Sequence, residues 1–287
     1  MKFCVVSCVH NAKDFIQNHL DSVKGQKHVD FVHLVIDDAS TDGTFDILRE
    51  EKKKRGEDFK LLRKKSRGGG VQSFRMAMDH LPPLEGKDVI VELDGDDYFL
   101  HDQALRKIEE AHADGYLATY GNYQIEWDPD QWSVDELPAT ISVSKCGPKI
   151  TSIPIRDQLV YGLIKPEKNI EYRYSAVRTF RKFLWDLLPE DVWEDKDGEI
   201  IPHCKDIIYF LPILEMIDWE NLKYIEDPIM IYNYHPNSDF AVGGHGCGTD
   251  SQIQTSIKVS EKSPIPKLTN INELRDKFDI PVVFMED

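Results

Sequence analysis

The tetrad Asp94-Gly95-Asp96-Asp97 closes the apolar run Val89–Leu93, so a buried segment delivers three carboxylates to one exposed end. In an extended segment residues i and i+2 point the same way, which predicts Asp94 and Asp96 on one side. Gly95 allows a tight turn and close ligand approach. Clustered carboxylates repel one another unless a cation sits between them. Their hard oxygens suit Mg²⁺ or Mn²⁺. A plain acidic turn has the same composition, because Asp and Gly are ordinary turn formers.

A second cluster, Asp37-Asp38-Ala39-Ser40-Thr41-Asp42-Gly43-Thr44, follows the run Phe31–Ile36. Asp37 or Asp38 could accept from a base N–H or a ribose hydroxyl, while Ser40 or Thr41 could cap a following helix. A third, Lys64-Lys65-Ser66-Arg67-Gly68-Gly69-Gly70, joins cations to a glycine stretch at a helix start. That combination suits an anion, although a flexible link with solvated lysines reads the same way. It lacks the Gly-Lys-Ser/Thr ending of a P-loop. Farther on, Asp206 precedes the apolar run Ile207–Ile217 and is either a general base or a helix cap. His235 is either a metal or phosphate ligand or a solvated loop residue.

The elements that must position these residues alternate. Strands are predicted at Phe3–Val9, Phe31–Ile36, Phe59–Leu62, Val89–Leu93 and Tyr116–Tyr120. Helices are predicted at Asp14–Gly25, Thr41–Arg55, Val71–His80 and His101–Ala113. Such alternation implies βαβ units, a Rossmann-like and mostly parallel sheet flanked by helices, and ligands at the strand carboxyl ends. The second half is less regular. Gln124–Lys149 reads as an irregular insertion, Tyr172–Leu188 as strand then helix, and Tyr224–Tyr232 as a strand. Pro212 kinks the Ile207–Ile217 helix or starts a second piece. His235–Ser251 reads as a long loop, with Gly243–Gly248 a candidate lid.

Composition narrows the partners. The 287 residues include 51 acidic and 35 basic side chains, a net charge of -16, which argues against a nucleic acid partner. No apolar run is long enough for a transmembrane segment. The opening residues read as a strand rather than a signal peptide. Five cysteines without a CxxC pair fit a reducing compartment, so a cytoplasmic location is expected.

Taken together, the motifs resemble glycosyltransferase family 2, whose members have the GT-A fold. The opening Val5-Val6-Ser7-Cys8-Val9-His10-Asn11-Ala12 is similar to that family's first strand and turn. Leu20-Asp21-Ser22-Val23 with Gln26 is similar to its first helix end. The segments Asp37–Thr44 and Leu93–Asp97 closely match its nucleotide-binding turn and its Asp-x-Asp motif. The likeness is good over residues 1–122 and looser to about residue 240.

The resemblance implies three segments: a nucleotide-sugar-binding half over residues 1–122, an acceptor half over 123–250, and an extension over 251–287. It implies an inverting hexosyltransferase, with a UDP-sugar donor and a glycan or glycoconjugate acceptor. By the same resemblance Ser7 and His10 line the nucleotide pocket, and Asp37 or Asp38 holds the uracil or ribose. Asp94 and Gly95 face the donor, Asp96 takes Mn²⁺ or Mg²⁺ helped by Asp94 and His235, and Asp206 is the base. Arg67 and Arg75 fall where a basic contact to the donor phosphates is usual. The family's Asn-x-Gly and Ala-Arg-Asn pieces appear here as Arg67-Gly68-Gly69-Gly70 and Phe74-Arg75-Met76.

Two other readings stand beside this one. A sugar-phosphate nucleotidylyltransferase would carry a glycine-rich loop after the first strand, where this chain has Ser7-Cys8-Val9-His10-Asn11. A non-catalytic nucleotide-sugar-binding protein would share the fold.

Overall fold

The computed structural model describes residues 1–127, 177–235 and 248–283. The first part keeps the predicted alternation. Strands β1 (Phe3–Val9), β2 (Phe31–Asp37), β3 (Phe59–Arg63) and β4 (Val89–Glu92) alternate with helices α1 (Ile16–Lys24), α2 (Thr44–Arg55) and α3 (Gly69–Asp79). Then come β5 (Tyr98–Phe99), α4 (Ala104–Ala113), β6 (Ala118–Trp127), β7 (Arg178–Arg181) and α5 (Lys182–Asp186). A π turn over Asp206–Phe210 leads into α6 (Leu211–Ile217), followed by β8 (Leu222–Tyr234), α7 (Gly248–Ser260) and α8 (Ile271–Phe278).

The eight strands of the described residues form one sheet in the order β3-β2-β1-β4-β7-β6-β8-β5. β3, β2, β1 and β4 run parallel, whereas β7 is antiparallel to both β4 and β6. The parallel run is therefore interrupted at β7, and beyond it β6 and β8 form a second parallel pair. Because β2 lies on one side of β1 and β4 on the other, the connections diverge at the carboxyl end of β1. A crevice forms at such a switch point.

Side chains of β1 alternate between faces, as a strand requires. Cys4 and Val6 join the core under α3, α5 and α6, with Phe74, Phe180 and Tyr209. Phe3 and Val5 join the opposite core, with Leu105, Ile108 and Met230. Both faces of the strand are thus apolar, as expected for a sheet covered on both sides.

Locally, two expectations change, one short strand was missed and one open alternative is decided. Helix α2 starts at Thr44 rather than Thr41, and neither Ser40 nor Thr41 caps it; Asp42 Oδ1 accepts from the Thr44 N–H at 2.9 Å. Gly43, at φ 103°, makes the turn that permits this. Strand β6 runs on to Trp127 where irregular chain was expected, because it pairs with β8 as far as Tyr234. The two-residue β5 gave too short an apolar signal to find. Pro212 sits in the first turn of α6, so it begins a second piece rather than kinking one helix.

Regular elements run through the expected segment boundaries: residue 122 falls inside β6 and residue 250 inside α7. The C-terminal part packs on the core: Phe278 stacks on Phe183, and Arg275 donates to the Gly115 carbonyl at 2.8 Å. Cys4, Cys8 and Cys204 are free thiols. Among the described residues no helix is long and apolar enough to cross a membrane. Cys146, Cys247, the greater part of the Gln124–Lys149 segment and nearly all of the Gly243–Gly248 lid lie outside the described residues.

Candidate active site

At the carboxyl ends of β1 and β4 lies a cleft of about 270 Å³, whose lining includes His10, Asp38, Arg67, Gly95, Asp96 and His235. It is built by lacing loops together. After β1, the Asn11 N–H donates to Ser40 Oγ at 3.0 Å and the Ala12 N–H to Thr44 Oγ1 at 2.9 Å. The Lys13 N–H donates to Asp42 Oδ2 at 3.0 Å, and the Thr41 N–H returns a bond to Asn11 Oδ1 at 2.9 Å. The polar residues of the second cluster therefore fix the first loop against the second. Asn11 and Ala39 adopt left-handed φ values of 48° and 58° here, a conformation that surrounding contacts must hold. His10 Nδ1–H donates to the Asp38 carbonyl at 2.8 Å, which sets the imidazole on the cleft wall.

Asp37 and Asp38 part company. Asp37 is fully buried beneath the cleft, paired with Arg63 Nε at 3.2 Å and accepting from the Ser40 N–H. Asp38 lines the cleft, but its carboxylate accepts the N–H groups of Gly68 and Gly69 at 2.9 and 2.7 Å and pairs with Lys64 Nζ at 2.8 Å. The anion at the glycine-rich start of α3 is therefore Asp38 itself, where an external phosphate was the expectation. Arg67 remains on the lining.

Ser7 and Arg75 stand elsewhere. Ser7 is fully buried with its hydroxyl 3.1 Å from His33 Nε2; its neighbour Cys8, on the opposite face of β1, is the one that lines the cleft. Arg75 lines a separate shallow groove with Trp193 and Ile200. Ser73 reaches the cleft, and two further residues rotate a helical side chain roughly 200°, to the far side.

The Asp-x-Asp segment also splits. β4 ends at Glu92, and the Asp97 N–H donates to the Asp94 carbonyl at 3.1 Å in a turn. Strand alternation does not extend through that turn, so Asp94 and Asp96 face different partners. Asp96 Oδ2 lies 3.1 Å from His235 Nε2, and Phe15 stacks on His235 with ring centroids 4.4 Å apart. Asp94 Oδ1 instead receives Lys205 Nζ at 2.6 Å. Asp97 is buried and accepts from the Asn233 N–H at 3.0 Å. Burial, then the nearby Asp96 and Asp94, push its carboxyl well above the ordinary range. Gly95 is obligatory: a Cβ there would stand 2.4 Å from Val9 Cγ2 and 2.9 Å from the Cys8 carbonyl.

Behind the cleft lies a charge cluster that local sequence did not announce. Glu92 accepts from Arg178 Nη1 at 2.9 Å, from Lys205 Nζ at 2.8 Å and from the Tyr209 hydroxyl. Burial alone would raise Glu92, but Lys205 and Arg178 outweigh it and hold the carboxyl at about 2. Arg178 Nη2 also pairs with Asp206 at 3.2 Å. Arg178 lies opposite Glu92 in the β4–β7 ladder, a register that only the folded chain reveals. Asp206 itself belongs to this cluster behind the cleft.

Among the described residues no group of three or more His, Cys, Asp and Glu side chains is gathered as a metal site. Asp96 and His235 form a two-ligand wall of one oxygen and one nitrogen. That suits a divalent ion completed by phosphate oxygens and water.

The family model described as glycosyl transferase family 2 matches residues 4–182. A putative teichuronic acid biosynthesis glycosyltransferase, TuaG of Bacillus subtilis, is 30% identical over 105 residues. That match spans 37% of this chain and only 40% of the relative's length. S. aureus TarS, residues 1–349, solved with UDP, superposes with a TM-score of 0.56 at 17% identity, covering 83% of this chain and 62% of that one. The mannosyltransferase PcManGT from Pyrobaculum calidifontis, solved with GDP-Man and Mn²⁺, gives a TM-score of 0.51 at 12% identity over 96% of this chain and 79% of that one.

Proposed function

The chain belongs to glycosyl transferase family 2, and on that premise we propose that it moves a glycosyl group from a nucleoside diphosphate sugar to an acceptor hydroxyl. The observation that carries this reading is the switch-point cleft in which Asp96 and His235 share a wall and Arg67 contributes to the lining. Family membership favours transfer over the nucleotidylyltransferase reading. UDP held by one structural neighbour, and GDP-Man with Mn²⁺ by another, support a nucleotide-sugar donor and a divalent cation. A UDP-sugar is the donor we favour, and a glycan or glycoconjugate the acceptor.

His10, Asp38 and Gly95 shape the nucleotide end of the cleft, and Arg67 supplies a cation toward the diphosphate. Asp96 and His235 would hold Mn²⁺ or Mg²⁺, which when bound supplies neutralising charge to the departing diphosphate. Asp206 is the proposed base of a single inverting displacement. Its carboxylate is fixed by Arg178 at 3.2 Å, and it adjoins Lys205, whose ammonium reaches Asp94. A base acts only within hydrogen-bond reach of the acceptor proton, so this role needs the acceptor to enter on the Asp206 side.

Thermal denaturation with UDP, GDP, dTDP, CDP and their common sugar conjugates, each with and without Mn²⁺, tests the donor site. A ligand that binds only the folded chain raises its apparent stability. We expect one nucleotide family to raise the midpoint only with metal, and Asp96→Asn to abolish that rise. Asp206→Asn should keep the rise and lose turnover. A wild-type chain indifferent to every nucleotide with Mn²⁺ present would sink the proposal.

A further inference from the structure

We propose that Lys205 is a positioning residue that claims Asp94 for itself, leaving Asp96 with His235 as the chain's carboxylate toward the divalent cation. The inference rests on the donor-site reading above. The Lys205 ammonium lies between two carboxylates, 2.8 Å from Glu92 Oε1 and 2.6 Å from Asp94 Oδ1. Its side chain is only 14% exposed, unlike an ordinary surface lysine.

Neighbouring residues hold it there. Cys204 turns the backbone at φ 57° just before it, and Asp206 just after it is pinned by Arg178. Arg178 also grips Glu92, so Glu92, Arg178, Asp206 and Lys205 close a ring. A metal that recruited Asp94 would strip Lys205 of one of its two partners. Breaking one side of a buried pair is costly, because the remaining charge is left uncompensated. Among the described residues Asp96 carries no such cation; its partner is the imidazole of His235, itself a metal-ligating side chain. The two aspartates of the segment are therefore unequal before any ligand arrives.

The test reads Mn²⁺ binding rather than turnover. Mn²⁺ affinity is measured by calorimetry on the full chain at saturating UDP and again at saturating GDP. The variants are D94N, D96N, K205M, K205R and the double variant D94N/K205M. D94N should stay within about twofold of wild type, whereas D96N should lose about tenfold or more, as expected for removing a charged ligand. K205M should tighten Mn²⁺ about fivefold or more, because Asp94 is released and ligand charge rises. D94N/K205M should return to the wild-type value, the signature of two residues acting through one contact. K205R should behave as wild type.

D94N as damaging as D96N, or K205M without effect on Mn²⁺, overturns the inference and leaves the donor site standing. If K205M does not fold, the contrast between D94N and D96N decides alone. Where wild-type chain binds Mn²⁺ with neither UDP nor GDP, the series is run with dTDP and CDP, and failure with all four overturns the donor-site reading and this inference with it.

Discussion

At the residue scale, neighbours in the chain proved to be strangers in space. Asp37 is sealed below the cleft and Asp38 lines it; Ser7 faces His33 and Cys8 faces the cleft. The residue types at each strand end were legible, because a carboxylate cluster after an apolar run is a local signal. Which member of each pair turns inward depends on the residue at which the strand stops, and that is set by pairing with other strands. Lys205 and Arg178 were illegible for a stronger reason: their partners Asp94 and Glu92 lie 111 and 86 positions away. Gly95, expected to admit a ligand closely, is a point where the β4 turn closely approaches the end of β1, and it yields a prediction. The Gly95→Ala methyl would meet Val9 and the Cys8 carbonyl at 2.4 and 2.9 Å, and the carbonyl belongs to a central strand with little room to shift. Overpacking of this kind costs about 1–3 kcal/mol. Urea denaturation should show that loss, and the nucleotide-dependent rise in midpoint should shrink with it. Unaltered stability would mean that the β4 turn is softer than its contacts indicate.

At the element scale, the glycine-rich segment acts as a strap. Asp38, at the end of β2, binds the N–H groups of Gly68 and Gly69 and the Lys64 ammonium, which ties the start of α3 to the neighbouring strand. Helix starts attract anions through unpaired N–H groups and the helix dipole. Sequence reading anticipated that attraction and assigned it to a ligand, since nothing local says that a carboxylate 30 positions earlier already answers it. Asp38→Ala should therefore act on the element before it acts on a ligand. Two N–H groups and a largely buried ammonium lose their acceptor together, which costs about 2–4 kcal/mol. Amide exchange should report it selectively: Gly68 and Gly69 lose protection while β1 amides keep theirs. Uniform loss across the sheet would mean that the strap supports the whole fold rather than one loop. The alternation of β1 to β4 with their helices was legible from periodicity. The long pairing of β6 with β8 was not, because its partners, such as Ala118 and Leu222, lie far apart in the chain and neither segment alternates cleanly.

At the scale of the whole molecule, three histidines are buried at sheet–helix contacts and kept neutral. His33 accepts from Arg55, lies 3.3 Å from His19, and His19 Nδ1–H donates to the Asp97 carbonyl at 2.7 Å. His112, on α4, lies within 2.7 Å of the Thr179 hydroxyl on β7. Burial lowers His19 to about 4, and lowers His33 and His112 well below their ordinary value. In the unfolded chain each returns to about 6.5. Between the two values the unfolded chain binds protons that the folded chain refuses, so stability is full above pH 6.5 and falls as the solution becomes more acidic. Each histidine contributes a slope approaching about 1.4 kcal/mol per pH unit once the pH is well below 6.5. Asp97 works the other way, because its raised carboxyl takes up a proton in the folded state first. The clean observable is therefore a difference. Urea denaturation of wild type and His33→Gln from pH 7.5 to 4.5 should show curves that run parallel above pH 6.5 and converge below it. The variant has one ionisable core group fewer, so acid costs it less. His33→Gln lowers stability at neutral pH by disturbing the contacts to Ser7 and Arg55, but that penalty is constant with pH and leaves the convergence intact. A constant offset down to pH 4.5 would mean that His33 takes its proton inside the fold. The polar path from Arg55 to the Asp97 carbonyl would then carry charge beneath the cleft.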